Sequence, residues 1–142
     1  MKKVAVIMGS DSDLPIVEKG INVLKEYEVP FEVHVYSAHR TPVQAAEFVK
    51  SARENNFGVI IAAAGMAAHL AGAVAANTVL PVIGIPVATV AIDGAANAAL
   101  LAVEILAIND DALFKKLVDA RKAGEEKVLE KNKAIEEKFN NV

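Results

Sequence analysis

The 142-residue chain contains no cysteine and no tryptophan. Without cysteine it can form no disulfide, no thiolate nucleophile and no sulfur-ligated metal site, so the fold must rest on packing alone. Positive charge is not in surplus either, because 15 lysines and arginines stand against 18 acidic residues and give a net charge of -3. We therefore expect no nucleic acid and no anionic membrane as partner, and any anionic ligand must be held locally.

Long apolar runs are missing as well. The longest candidate, VIGIPVATVAI, contains a proline and falls short of the roughly 18 residues that mark a membrane-spanning helix. The apolar run in the N-terminal segment MKKVAVIMGSDSD is too short for the apolar region of a signal peptide. The sequence therefore predicts a cytoplasmic protein.

Apolar runs of strand length alternate with helix-like segments along the chain. The runs are KVAVIM, FEVHVYS, GVIIAAAG and PVIGIPV, and the unbroken hydrophobicity of the first is typical of a strand buried on both faces. Such alternation predicts a doubly wound α/β fold. We expect a three-layer, flavodoxin-like parallel sheet with helices on both faces, in a single domain spanning residues 1–142.

The helix after the second run has a clear start signal. Thr41 and Gln44 have the spacing of a capping box, and Pro42 suits the first helical position. We therefore expect this helix to begin immediately after Arg40.

The last third of the chain predicts an apolar helix over residues 94–108 and a charged helix over residues 111–139. The apolar positions of the charged helix are Leu113, Leu117, Val128, Leu129, Ile135 and Phe139. These positions are too sparse for a core helix. We therefore expect residues 110–139 to form a helical tail that packs on another subunit.

A polar segment follows each of the first three predicted strands. The segments are GSDSD at residues 9–13, SAHRT at residues 37–41 and AGMAAH at residues 64–69. In open α/β sheets, ligands bind beyond the carboxyl ends of the strands, where loops meet helix N-termini. The three segments are therefore expected to converge on one rim of the sheet and to form the ligand site.

The first polar segment has two explanations. Serine and aspartate are preferred helix N-caps, and Ser12 or Asp13 could cap a helix that has Pro15 in its first turn. One cap needs only one such residue, however, and the surplus of hydroxyl and carboxylate groups also suits a phosphate and a ribose. Ser10 and Asp13 are therefore candidates for ligand binding.

The second polar segment combines a serine, a histidine and an arginine. Arg40, the Ser37 hydroxyl and the free amides of the following helix can together hold a phosphate. His39 would then lie beside the bound substrate, where an imidazole that titrates near neutrality can give and take a proton. The alternative is that His39 is an ordinary surface or structural residue.

The other two histidines carry weaker signals. His69 is expected to be either a semi-buried structural residue or part of the site. His34 shares one strand face with Glu32 and Tyr36, and we expect it to be structural. Three histidines in separate segments, without cysteine, do not form a transition-metal motif, so no metal site is expected.

Taken in order, VIMGSDSDLP, SAHRTP and AGMAAHLAG resemble the signature segments of the PurE family of purine biosynthesis, the N5-carboxyaminoimidazole ribonucleotide mutases. PVATVAIDGAANAALLAVEILA resembles the family's penultimate helix with the strand before it, so the resemblance covers nearly the whole chain. The AAHL form, which includes His69, is more similar to the bacterial mutase class than to the class that carboxylates aminoimidazole ribonucleotide directly.

The resemblance implies an isomerase that moves a carboxylate from the exocyclic nitrogen of the imidazole to C4, through loss and recapture of carbon dioxide. It implies a small ribonucleotide substrate, no cofactor, no metal and a homo-octamer. It also implies roles for individual residues: His39 as the proton shuttle, Ser10, Asp13, Ser37 and Arg40 as the binding site for the ribose phosphate, and Gly65, Ala67 and His69 as the pocket for the imidazole and carbon dioxide.

The chain departs from the family pattern in three places. Met66 stands where the family often has glycine or another apolar residue, and Ala71 replaces a usual proline. The third departure is larger, because the family has about twenty further residues between VIGIPV and ATVAI, and neighbouring parallel strands need a crossover of about a dozen residues or more.

This third departure has two explanations. Residues 81–92 could form one long strand in a four-stranded sheet, or the chain could omit a segment after Val87. A Cα separation between Val87 and Ala88 far above about 3.8 Å would indicate omission.

Other proteins of this fold fit less well. A response-regulator receiver needs a phospho-accepting aspartate at the end of the third strand, where this chain has AAAG. A flavodoxin needs aromatic side chains around the flavin, and neither Tyr27 nor Tyr36 lies in a rim loop. The remaining alternative to a mutase is an oligomeric nucleotide-phosphate binding module, a truncated paralogue without full activity.

Overall fold

A computed structural model describes residues 1–64, 69–86 and 94–140. In this part of the chain four parallel strands form one sheet, in the order β2-β1-β3-β4. The strands are β1 Lys3–Met8, β2 Phe31–Val35, β3 Phe57–Ala64 and β4 Val82–Pro86, and the helices are α1 Leu14–Glu26, α2 Pro42–Ser51, α3 Leu70–Ala75, α4 Gly94–Ala107 and α5 Asp111–Phe139. The predicted α/β alternation is confirmed.

The helices cover both faces of the sheet. Alternate residues of β1 point to opposite sides, so Val4 and Val6 pack with α1 and α4, whereas Ala5 and Ile7 pack with α2 and α3. All residues of β1 from Val4 to Met8 are buried, which explains the unbroken apolar run in the sequence. The three-layer, flavodoxin-like architecture is therefore as predicted.

Helices α1 and α4 approach each other closely. A Cβ atom placed on Gly20 of α1 would lie 2.6 Å from the carbonyl oxygen of Ala95 in α4, a distance that no real side chain tolerates. Glycine at position 20 therefore allows the two backbones to meet. Buried alanines at positions 98, 99 and 102 of α4 belong to the same core cluster.

The start of α2 is only partly as predicted. The helix does begin at Pro42 with Thr41 as N-cap, but the Thr41 side chain makes no capping hydrogen bond to the helix. Its hydroxyl bonds to the backbone of Ser37 instead. The predicted capping box between Thr41 and Gln44 is therefore wrong, because the loop before the helix competes for the same hydroxyl.

The long helix α5 has two different halves. Asp110 caps it by accepting a hydrogen bond from the Leu113 N–H at 2.9 Å, and Leu113 and Leu117 are buried in the core. The expectation that the whole tail lies outside the core is thus wrong for the first two turns. From residue 118 to residue 140 every position is exposed. No described helix, α5 included, combines the length and apolar character that crossing a membrane requires.

Candidate active site

The first three strands end side by side. Met8 at the end of β1 pairs with Val35 of β2 on one side and with Ala63 of β3 on the other. Two hydrogen bonds continue this pairing beyond the strands: Gly9 N–H donates to the Ala63 carbonyl at 3.0 Å, and Tyr36 N–H donates to the Met8 carbonyl at 2.9 Å. Because neighbouring strands lie about 4.8 Å apart, the segments that follow them begin at one rim of the sheet.

The first rim segment forms a short 3-10 turn, Asp11–Asp13, in front of α1. Ser10 caps it, since Ser10 Oγ accepts a hydrogen bond from Ser12 N–H and the Asp13 carboxylate accepts one from Ser10 N–H at 3.2 Å. Asp13 is the N-cap residue of α1 by position, but its side chain makes no bond to that helix. Its side chain is buried, whereas Ser12 is exposed. Part of the polar surplus in this segment therefore forms a local cap. The remaining hydroxyl and carboxylate groups stay candidates for ligand binding.

The second rim segment is a compact turn that runs from Ser37 to Thr41. Ser37 Oγ accepts hydrogen bonds from the backbone N–H groups of His39, at 3.3 Å, and Arg40, at 3.1 Å. Thr41 N–H donates to the Ser37 carbonyl at 3.0 Å. The Ser37 hydroxyl thus serves the loop as an acceptor, and its own proton can still be donated to a ligand.

His39 and Arg40 occupy the tip of this turn. Both residues are exposed, so a ligand at the rim can reach the imidazole and the guanidinium. Arg40 lies two residues before α2, whose first N–H groups provide the positive end of a helix dipole. This arrangement offers a site for a phosphate next to an imidazole.

The third rim segment is described only at its end. Gly65 and Ala67, two of the predicted pocket residues, lie outside the described residues, as does Met66. His69 is the N-cap residue of α3 and is exposed, so the expectation that it is semi-buried is wrong. Ala38 and Leu70, which are the neighbours of His39 and His69, line one common cavity of about 130 Å³. The chain segments that carry these two histidines therefore lie next to each other.

His34 belongs to an aromatic cluster rather than to the rim. Its ring stacks on Tyr36 with the centroids 5.4 Å apart and lies 4.5 Å from the ring of Phe48, while its Nε2 is 3.4 Å from a carboxylate oxygen of Glu32. Such packing gives it the structural role that was predicted. Phe48 also contacts Phe57, so the cluster connects β2, α2 and β3 beneath the second rim segment.

No three side chains of ligand type cluster in the part of the chain that the structure describes. The absence of a metal from the reaction stays a prediction from sequence.

The sequence pattern of the AIR carboxylase family matches residues 3–88 and, separately, residues 84–127. The chain belongs to the AIR carboxylase family. The resemblance read from the sequence is thereby confirmed. Family members with curated names include the N5-carboxyaminoimidazole ribonucleotide mutase of Pyrococcus horikoshii, which is 47% identical over 157 residues, with 94% of this chain and 89% of the relative covered. The enzyme of the same name from Methanocaldococcus jannaschii is 45% identical over 158 residues, with 96% and 99% covered.

A solved structure supports the fold. The crystal structure of Treponema denticola PurE superposes with a TM-score of 0.83 at 23% sequence identity, and the match covers 92% of this chain and 96% of that one. At this identity the likeness concerns the fold alone.

The comparisons also indicate that this AIR carboxylase chain lacks a segment. Both alignments to them are longer than the 142-residue chain itself, so each relative has residues without a counterpart here. The two separate family matches overlap at residues 84–88, the segment GIPVA. The missing segment therefore falls at GIPVA, where β4 ends. The junction between Val87 and Ala88 lies outside the described residues.

Proposed function

We propose that this chain is an N5-carboxyaminoimidazole ribonucleotide mutase of purine biosynthesis. The observation that carries the proposal is that β1, β2 and β3, after which the SDSD, SAHRT and AAHL segments follow in the sequence, are neighbours in the sheet and end at one rim, in a chain of this family. The curated relatives named above have this activity in their names, and they match this chain over nearly their whole length. The substrate is then a ribonucleotide, and we place the enzyme in the cytoplasm as one domain over residues 1–142.

In the proposed reaction His39 donates one proton and later accepts a different one. Its imidazolium protonates the exocyclic nitrogen while the bond between that nitrogen and the carboxylate carbon breaks and carbon dioxide leaves. The electron-rich C4 of the imidazole then attacks carbon dioxide, and the neutral His39 removes the proton from C4. The histidine ends in its starting protonation state, so the cycle needs no external acid, base or reductant. The exposed position of His39 at the rim fits this role, because the imidazole can reach a bound substrate.

The remaining rim residues would hold the substrate. Arg40 and the Ser37 hydroxyl, next to the N-terminus of α2, suit the phosphate as donors. Ser10 and Asp13, in the first rim segment, also suit the ribose phosphate. The Asp13 carboxylate can accept a hydrogen bond from a ribose hydroxyl. Gly65, Ala67 and His69 would line the pocket for the imidazole ring and the freed carbon dioxide, which must be kept from water until C4 captures it.

We also propose that the enzyme is a homo-oligomer, an octamer by resemblance, with the second half of α5 at a subunit interface. Val128, Ile135 and Phe139 are spaced seven and four residues apart and so lie on one face of the helix. Leu117 lies eleven residues before Val128, so this exposed stripe continues the face that is buried in the first half of the helix. A neighbouring subunit would cover it.

The missing segment keeps a second function open: an oligomeric nucleotide-phosphate binding module. The overlap of the two family matches at residues 84–88 favours it, because a chain that lacks part of the family pattern could retain the phosphate site without completing the reaction.

One experiment tests both functions. The protein is incubated with N5-carboxyaminoimidazole ribonucleotide labelled with ¹³C at the carboxylate, and NMR follows transfer of the label to C4. The mutase converts the substrate, whereas His39→Asn binds it without conversion. His34→Phe keeps the aromatic packing and should convert at the rate of the unchanged protein. Binding without conversion by the unchanged protein would establish the binding module instead, and equal conversion by His39→Asn would remove His39 from its role.

A further inference from the structure

The imidazole of His69 lies across Gly72, one turn further along α3. A Cβ atom placed on Gly72 would overlap Nε2 and Cδ2 of His69 and would lie 2.7 Å from Cε1. All three of the nearest atoms belong to this one ring. The ring therefore fills the space that any other residue at position 72 would need for its side chain.

The helix that carries this arrangement is itself held close to the sheet. A Cβ atom on Gly84 of β4 would lie 2.9 Å from the Cβ of Ala71, so α3 packs on β4 at a distance that glycine alone permits. Ala71 lies between His69 and Gly72. The backbone on which the ring rests therefore has a fixed position relative to the strands.

His69 remains exposed although its ring rests on Gly72. The backbone of α3 at Gly72 supports the imidazole on one side. His69 makes no side-chain hydrogen bond to cap α3, and its ring rests on Gly72 instead.

We propose that Gly72 is a positioning residue for His69. Because glycine has no side chain, position 72 leaves a space, and this space holds the imidazole in one orientation at the rim. The effect on turnover rests on the proposed function, in which His69 lines the pocket. The contact itself does not depend on any activity, so the two can be tested separately.

The contact can be observed by NMR in the intact protein. An imidazole lying on Gly72 shifts the Gly72 Hα resonances by its ring current, and His69→Ala should move them toward the values of an ordinary helical glycine. Unchanged Gly72 Hα resonances in His69→Ala would overturn the proposal.

Thermal unfolding then tests the steric part. The control is the same substitution in a His69→Ala background, where the ring is absent. There Gly72→Ala should raise Tm by about 3 °C through helix propensity. With His69 present, Gly72→Ala should not raise Tm. An equal gain in both backgrounds would contradict the proposal.

Kinetics show whether the orientation matters for catalysis. Gly72→Ala should lower kcat about tenfold, since a displaced ring misplaces the pocket wall, and it should lower kcat no further in a His69→Ala background. The NMR and unfolding tests report the contact between the ring and Gly72. If they confirmed this contact and Gly72→Ala still kept full turnover, the positioning role would be refuted. An inactive parent protein would refute the proposed function alone, because the Hα shifts and Tm values would still report the contact.

Discussion

Thr41 Oγ1 accepts a hydrogen bond from the Ser37 backbone N–H at 2.9 Å and lies 3.2 Å from the Ser37 carbonyl oxygen, to which it donates. These two bonds close the second rim segment into a ring of five residues. His39 and Arg40 are two of these five residues, so their backbone positions depend on the Thr41 hydroxyl. A threonine that resembles a helix cap in the sequence is a loop clamp in the structure.

Replacing this hydroxyl should loosen the loop. We expect Thr41→Val, which has nearly the same shape, to lose about 1 kcal/mol of unfolding free energy for the hydrogen bonds and to lower turnover about tenfold through misplacement of His39. Thr41→Ser keeps the hydroxyl and should stay close to the unchanged protein. Urea unfolding and the ¹³C transfer assay give both quantities, and full turnover of Thr41→Val would show that the clamp is dispensable.

Removing the guanidinium at the loop tip should affect binding. Arg40→Ala is expected to weaken binding of the ribonucleotide by about 1.5 to 3 kcal/mol, the value of a charge-assisted hydrogen bond, which corresponds to roughly a ten- to hundredfold rise in Kd. Arg53→Ala is the control, because Arg53 follows the opposite end of α2 and is also exposed. Isothermal titration at constant ionic strength measures both, and equal Kd values for the two variants would place the phosphate elsewhere.

The ion pair on the edge of the sheet predicts a pH dependence of stability. The Lys3 ammonium, hydrogen-bonded to Glu32 at 2.6 Å, holds the pKa of this carboxyl below its usual value of 4.5, and a hydrogen bond from His34 acts in the same direction. A carboxyl whose pKa is lowered by folding stabilises the fold above its unfolded pKa, and this contribution is lost as the pH falls through the folded pKa.

Glu32→Gln should therefore be less stable than the unchanged protein at pH 7, and the difference should shrink as the pH is lowered below 4.5. Because the Glu32 side chain is 43% exposed, solvent screening keeps the difference below about 1 kcal/mol. Urea unfolding between pH 7 and pH 3 measures it. In a Lys3→Met background the difference at pH 7 should largely vanish, and its persistence would exclude Lys3 as the cause.

The exposed stripe of α5 can be tested through the oligomeric state. Ile135→Gln places an amide in the proposed subunit interface and should shift the protein to smaller assemblies in light scattering. Glu136→Gln changes the next residue, which points to a different side of the helix, and should leave the mass unchanged. Neither residue is buried in the monomer. The proposed interface would be refuted if the unchanged protein were a monomer. It would also be refuted if Glu136→Gln shifted the protein to smaller assemblies as much as Ile135→Gln does.

The sequence predicts the fold well because periodicity reports burial. The unbroken run of β1 corresponds to buried positions in the structure, whereas the sparse apolar spacing of the last helix did not reveal that Leu113 and Leu117 reach the core. The role of the Thr41 hydroxyl was not predictable in this way, because helix N–H groups and loop backbone compete for it and only the path of the chain decides between them. The role of Gly72 depends on the orientation of a ring three residues away, and no spacing rule reports that.

For the site residues, too, the positions in the fold were predictable and the detailed contacts were not. Segment order and topology suffice to predict that Ser10, Ser37 and His39 follow neighbouring strands. Their hydrogen bonds were not predictable, because each hydroxyl has several acceptors and donors within reach in its own turn.

The close approach of Gly20 and Ala95 has a consequence for how this family can change length. Helix α4 packs closely on α1, which precedes it by about seventy residues. Insertions or losses at that junction can therefore accumulate in evolution while the last third of the protein stays docked in the same place.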